Sequence, residues 1–186
     1  MKTFLFIFFL SLHVQANYIG IENNFRHIGM IQTDDQGSTN FLEYAPGVVL
    51  SSSIANPFFQ NIWLYPAFTI FFPQRSEDEL YRKWSAELNL HLLKPINQSL
   101  DVTFGFTYLM DLIIGAGGTS TQNNGNSSST YYVPKHSRFI GGFAPEFGFR
   151  YEFWQKKYLY MGLISHQILR EDSRSYTLSI QLLTWI

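Results

Sequence analysis

Ser99-Leu-Asp-Val-Thr-Phe-Gly-Phe-Thr-Tyr-Leu-Met-Asp-Leu-Ile-Ile114 is the stretch on which the fold turns. Its even positions, Leu100, Val102, Phe104, Phe106, Tyr108, Met110, Leu112 and Ile114, are all apolar. Its odd positions run Ser99, Asp101, Thr103, Gly105, Thr107, Leu109, Asp111 and Ile113, and are mostly small or polar. Successive side chains of a strand point to opposite faces, so period two means a β-strand with one greasy side. The segment is about three times the usual strand length of 5–6 residues.

The same alternation recurs along the chain. Leu80 to Lys94 sets Trp84, Ala86, Leu88, Leu90 and Leu92 against Lys83, Ser85, Glu87, Asn89 and His91. Ser137 to Phe153 sets a Phe-rich face (Phe139, Phe143, Phe147, Phe149, Phe153) against Arg138, Gly142, Glu146, Arg150 and Glu152. Ser175 to Ile186, Asn61 to Phe72 and Glu43 to Ile54 alternate in the same way. Tyr18 to Gln32 alternates only in part, with Ile19, Ile21, Phe25 and Ile31 against Glu22, Asn24 and Arg26. Lys157 to Arg170 can be phased either way; the phase adopted puts Leu159, Met161 and Leu163 on one face and Tyr160, Gly162, Ile164 and His166 on the other. These eight long segments predict an all-β fold, an eight-stranded antiparallel up-and-down barrel. A bilayer-spanning strand needs about 9–11 residues, which every segment reaches.

Such a barrel can be soluble, with its apolar face inside, or membrane-embedded, with its apolar face outside. Three features favour the membrane form. The polar face carries Gly, Ser, Thr and Ala with scattered charges of both signs, whereas a solvent surface is richer in Lys and Glu. The interior of eight strands is only wide enough to be filled by side chains, and the many Phe residues would overfill it. Finally, connections 31–42, 73–79, 115–136 and 171–174 alternate with connections 55–60, 95–98 and 154–156, and the longest, rich in Gly, Ser, Thr and Asn, falls in the first set. Long external loops with short periplasmic turns are the asymmetry of membrane barrels.

Composition agrees. The chain of 186 residues is 46% hydrophobic and 18% aromatic but only 15% charged, against about a quarter charged in soluble domains. A net charge of -1 offers no basic field for nucleic acid. The absence of Cys excludes disulfides, a thiol nucleophile and a thiolate metal site. Residues 1–16 read as a secretory signal peptide: Lys2, the apolar run Phe4 to Leu12, then small residues around Val14-Gln15-Ala16. The barrel domain is then 17–186. No later stretch is long and apolar enough to predict a transmembrane helix.

A leader, eight alternating strands and a strand ending the chain together resemble the small Gram-negative outer-membrane barrels, the OmpA membrane domain and OmpX-like class. The resemblance implies export to the periplasm, residence in the bacterial outer membrane, contact with its lipid and lipopolysaccharide, and assembly by the barrel-assembly machinery. The last strand, Tyr176 to Ile186, resembles the signal that machinery reads, with Trp185-Ile186 where Phe usually ends it. The final third also resembles, loosely, lipid A 3-O-deacylases of the PagL type. That resemblance puts the family's catalytic His on His166, but its Ser position is Ile168 and its Glu has no clear counterpart, Glu171 lying nearby in a turn.

By phase, the inward charges are Glu22, Arg26, Lys83, Glu87, Asp101, Asp111, Arg138, Glu146, Arg150 and Glu152, with His91 able to add charge. Buried in a narrow barrel these must pair, which predicts an internal salt-bridge plug; the competing reading is a gated, porin-like pore. Asp34-Asp35 and Glu77-Asp78-Glu79 fall in loops, where they are solvated or hold divalent cations with lipopolysaccharide. Trp84, Tyr108, Tyr151, Trp154, Tyr158 and Trp185 are expected near strand ends as an interfacial girdle. No cofactor or metal is expected. The functional reading is a non-catalytic barrel serving envelope integrity or surface interaction. The alternatives are a lipid A-modifying enzyme built on His166 and a secreted barrel binding an apolar ligand inside.

Overall fold

The computed structural model describes residues 18–28, 31–34, 37–40, 43–56, 58–75, 81–123, 128–132, 135–167 and 174–186. Residues 1–16, expected as a leader, lie outside them. Eight long strands form the wall: β1 (Tyr18–Ile28), β2 (Glu43–Ser51), β3 (Trp63–Phe71), β4 (Tyr81–Pro95), β5 (Leu100–Gly115), β6 (Arg138–Trp154), β7 (Lys157–His166) and β8 (Ser175–Trp185). Each pairs antiparallel with its sequence neighbours. The pairing of β1 with β8, from Tyr18↔Trp185 to Ile28↔Tyr176, closes the barrel. Tyr18 and Trp185 therefore sit at one rim.

The wall turns its apolar face outward. Ile21, Ile70, Leu88, Leu90, Phe104, Phe106 and Phe147 are exposed, while Glu22, Asn24, Arg26, Glu87, Asn89, His91 and Glu146 are buried. A ligand cavity lined by the Phe-rich stripes is thus not what this chain builds. The inward phase of β7 is the expected one: Tyr160 and Ile164 are buried and Leu163 is exposed. Charged residues on the outward phase are Arg82, Lys94 and Lys157, all at strand ends, where a charge costs a lipid-facing wall least. Asn23, polar yet outward, accepts the Tyr44 hydroxyl.

Three expectations need correction. First, β1 is interrupted. His27 adopts a positive φ of 65° and the β1–β8 register slips between Phe25 and Ile28. An inserted residue reverses the side-chain phase, which is why the sequence alternation fails there. Second, the segments expected as loops contain short paired strands, 31–34 with 37–40 and 119–123 with 128–132. Third, connection 52–62 at the terminal rim is longer than 72–80 and the 167–174 connection at the opposite, loop rim. Residues 54–55 extend the wall there by pairing with Trp63 and Leu64.

Among the described residues, β6 pairs with β5 from Arg138 to Tyr151 and with β7 from Glu146 to Trp154.

Candidate functional site

The lumen holds the chemistry, in three levels. Nearest the loop rim, Arg26 from β1 reaches across the barrel. Its Nη1 lies 3.3 Å from Glu43 of β2, 3.4 Å from Asp111 of β5 and 3.3 Å from the Ser85 hydroxyl of β4. Its Nη2 is 3.6 Å from Glu87, and its guanidinium sits 4.6 Å over the Phe71 ring. Lys83 joins the same carboxylates, with Nζ 2.8 Å from Glu43 and 3.4 Å from Asp111. Ser85 donates to Asp111 at 2.6 Å. The Asn24 amide donates to Glu87 at 2.8 Å. Cations buried this deeply are tolerable only when such partners replace water.

At mid-height, Glu146 of β6 is the hub. It accepts the Tyr160 hydroxyl at 2.7 Å and the Thr107 hydroxyl, and it meets His91 Nε2 at 2.8 Å. The rings of His91 and Tyr160 are nearly parallel, 8° apart with centroids 6.1 Å apart, and Tyr65 packs beside both. Glycines on three adjacent strands make the room. A Cβ on Gly162 would come within 2.1 Å of Glu146 Oε1, one on Gly148 within 2.8 Å of the Tyr160 hydroxyl, and one on Gly105 within 2.5 Å of the His91 ring. Across the lumen, Glu22 accepts the hydroxyls of Thr69 and Ser179, the latter at 2.8 Å.

Nearest the terminal rim, Arg150 is held differently. It makes a two-pronged pair with Asp101, through Nε at 2.9 Å and Nη2 at 2.8 Å, and donates to Ser53 at 3.1 Å. The rings of Tyr18, Tyr65 and Tyr158 surround its guanidinium at 5.1, 5.3 and 5.1 Å. Guanidinium over aromatic faces is a favourable electrostatic contact. Around it Tyr18, Val49, Tyr65, Leu93, Tyr160 and Leu183 form the apolar core of the barrel.

Of the residues expected inside, Glu22, Arg26, Lys83, Glu87, His91, Glu146 and Arg150 are buried, and Asp101 and Asp111 are partly buried beside their cations. Arg138 is not among them: it is exposed at the first residue of β6, at the loop rim. Glu152 is half-buried at the opposite rim, where it accepts the Lys156 backbone N–H at 3.1 Å and shapes the β6–β7 turn. Two girdle expectations also change. Tyr158 turns inward to Arg150, and Tyr108 sits mid-strand against Phe143, ring centroids 4.5 Å apart. Trp154 and Trp185 do end their strands at the terminal rim, where Trp63, which was not among the expected residues, begins β3. The acidic loop groups, Asp34-Asp35 and Glu77-Asp78-Glu79, fall outside the residues whose side chains are described.

Glu43 is the residue the charge reading missed. It begins β2, on the inward phase with Ala45 and Gly47, and its position at a strand's first residue hid its role. His166 lies near the loop rim of β7, opposite Ser175, with Nε2 3.0 Å from the Thr177 hydroxyl. No described hydrogen bond joins it to a carboxylate, and Ile168 lies outside the described residues. Among the described residues no three His, Asp or Glu side chains are placed to hold a metal ion.

Neither a protein-family model nor a curated protein sequence matches the chain significantly. Solved structures do. Neisserial surface protein A superposes with a TM-score of 0.52 at 12% identity, over 91% of this chain and 96% of that one. The fold is that of the small eight-stranded outer-membrane barrels. Ail, the attachment invasion locus protein of Yersinia pestis, matches over 92% of this chain and 99% of its own at 9% identity, with a TM-score of 0.48. The N-terminal β-barrel domain of Pseudomonas aeruginosa OprF matches over 90% and 96% at 8% identity, with a TM-score of 0.41.

Proposed function

We propose that the protein is a non-catalytic barrel of the bacterial outer membrane that serves envelope integrity or surface interaction. The observation that carries this reading is the polarity of the wall. An apolar belt faces out around a lumen filled with paired charge, the reverse of a water-soluble barrel. The lumen residues act as a plug. Arg26 with Lys83 ties four strands together near one rim, and Arg150 with its tyrosines fills the other. The start of β6 supports surface contact as the outward task, because it carries Phe139, Ile140 and Phe143 exposed near the loop rim.

The test is electrophoresis of carbonate-washed envelopes, unboiled against boiled. Closed membrane barrels resist SDS until heated, so a heat-dependent mobility shift in the washed membranes is expected. Release by the wash without a shift would overturn the reading. Protease added to intact cells is expected to cut within the loop-rim segments and to spare the turns at 96–99 and 155–156.

A further inference from the structure

We infer that a groove in the outer wall, running across β2 to β6, holds one anionic phospholipid of the leaflet at the terminal rim, with an acyl chain in the groove and the phosphate at Lys94. The inference rests on the reading of the barrel as one that spans a bilayer.

Two independent observations converge on it. The first is the groove. Leu50, Phe68, Leu88, Tyr108 and Phe143 stand side by side in one outward row, each the register partner of the next. They line a groove of about 860 Å³. In the adjoining row Ser52 gives its N–H to the Pro66 carbonyl at 3.0 Å, and Pro66 stands opposite Leu90. Two compact residues thus occupy outward positions where the neighbouring strands carry larger side chains. Ser51, Ala67 and Asn89, on the inward phase, line the groove as well, so it cuts between the outward side chains down to the strand backbone. A slot left empty would deprive its walls of contact atoms. Its apolar lining is continuous with the belt that faces hydrocarbon, and a flexible unbranched chain is the occupant that such a slot accepts from a bilayer.

The second is charge at the right height. Arg82 and Lys94 are the outward charges of β4 and stand 12 residues apart. That is about 40 Å of strand, or about 30 Å of height at the tilt of a barrel strand, which is the thickness of a bilayer's hydrocarbon core. Lys94 therefore marks the headgroup level at the terminal rim. It shares the outward face of β4 with Leu88 and Leu90 of the groove. From Lys94 to Leu90 is about 13 Å of strand, so a chain anchored at Lys94 reaches the groove within the roughly 15 Å of one leaflet. Lys94, Lys156 and Lys157 are exposed at this rim, and Lys94 has no ion pair among the described residues. The described carboxylate side chains there are committed elsewhere, Asp101 to Arg150 and Glu152 to the Lys156 backbone N–H. A rim with outward lysines and engaged acids selects an anionic headgroup over a neutral one.

The test uses the folded barrel in phosphatidylcholine vesicles doped with phosphatidylglycerol whose acyl chains are brominated and quench tryptophan. Phe106→Trp places a probe in the groove, and Ile21→Trp places the same probe on the belt at β1; the signal of the native tryptophans is subtracted. Quenching of the groove probe is expected to saturate at a lower content of the brominated lipid than quenching of the β1 probe. Lys94→Gln is expected to weaken the groove's preference about fivefold, the effect of one lysine beside an anionic headgroup. Native mass spectra of the wild type from uncharged detergent are expected to show one phosphatidylglycerol per barrel and none with phosphatidylcholine alone. Equal quenching at the two probes overturns the inference and leaves ordinary surrounding lipid. A preference that survives Lys94→Gln, or that lipid A removes more readily than unlabelled phosphatidylglycerol, overturns it as well. Lipid-free dimers in the mass spectra overturn it in favour of a second copy as the occupant of the groove. If a variant fails to fold, the mass spectra of the wild type still decide. A barrel that lacks the heat-dependent shift loses the membrane reading too, whereas one that shows the shift and no lipid preference loses only this inference.

Discussion

The two ends of the lumen solve one problem in different ways. Near the loop rim, Arg26 and Lys83 share Glu43 and Asp111, with Glu87, Ser85 and Asn24 behind them. Near the terminal rim, Arg150 has one carboxylate, Asp101, and three tyrosine rings. The first end is redundant, since losing one acid leaves the others. The second depends on a single ion pair and on aromatic packing. The difference teaches that a narrow barrel can bury a cation either by pooling carboxylates or by enclosing one pair in rings, and that the two arrangements should fail differently.

The sharpest break is Arg26→Met. It leaves Glu43, Glu87 and Asp111 facing one another with Lys83 alone, and a loss of about 4 kcal/mol is expected, the usual cost of orphaning buried charge. Urea unfolding in lipid vesicles, followed by Trp fluorescence, measures it. Asp101→Asn strands Arg150 among its tyrosines and is expected to cost about 3 kcal/mol in the same assay. Its counterpart Asp111→Asn should cost about 1 kcal/mol, because Glu43 still engages both cations; equal losses for the two would remove the claimed redundancy. Tyr158→Leu keeps bulk and removes one ring from Arg150, for which about 1 kcal/mol is expected. Smallest is Lys83→Met, below about 1 kcal/mol, since Arg26 still holds Glu43 and Asp111. Tyr158→Leu measured in the Asp101→Asn background sharpens the contrast further. A non-additive result is expected, as both groups act on Arg150.

Much of this was legible in the chain. Period-two alternation located all eight wall strands and told inward from outward, even for β7, whose pattern could be phased two ways. It also listed most of the lumen charges. It faltered where backbone geometry intervenes. The bulge at His27 breaks the phase of β1, and no side-chain pattern announces an inserted residue. Arg138 obeys the inward phase but is exposed at the strand's rim end, because phase gives a face and not a height. Tyr158 was expected at the girdle on the strength of its residue type, yet its phase points it at Arg150. Glu43 escaped notice because a strand's first residue looks like the end of a loop.

By itself, the sequence determined the strand count, the antiparallel winding and the polarity of the wall, since these follow from spacing along one chain and from the cost of placing charge against lipid or Phe inside a narrow tube. Which charges meet was decided only by the closed barrel. Asn24 and Glu87 stand 63 positions apart, Arg26 and Asp111 85, and Glu22 and Ser179 157. Strand register and the tilt of closure bring such pairs to one level. A single chain carries the alternation, whereas the levels of the lumen exist only once eight strands are in register.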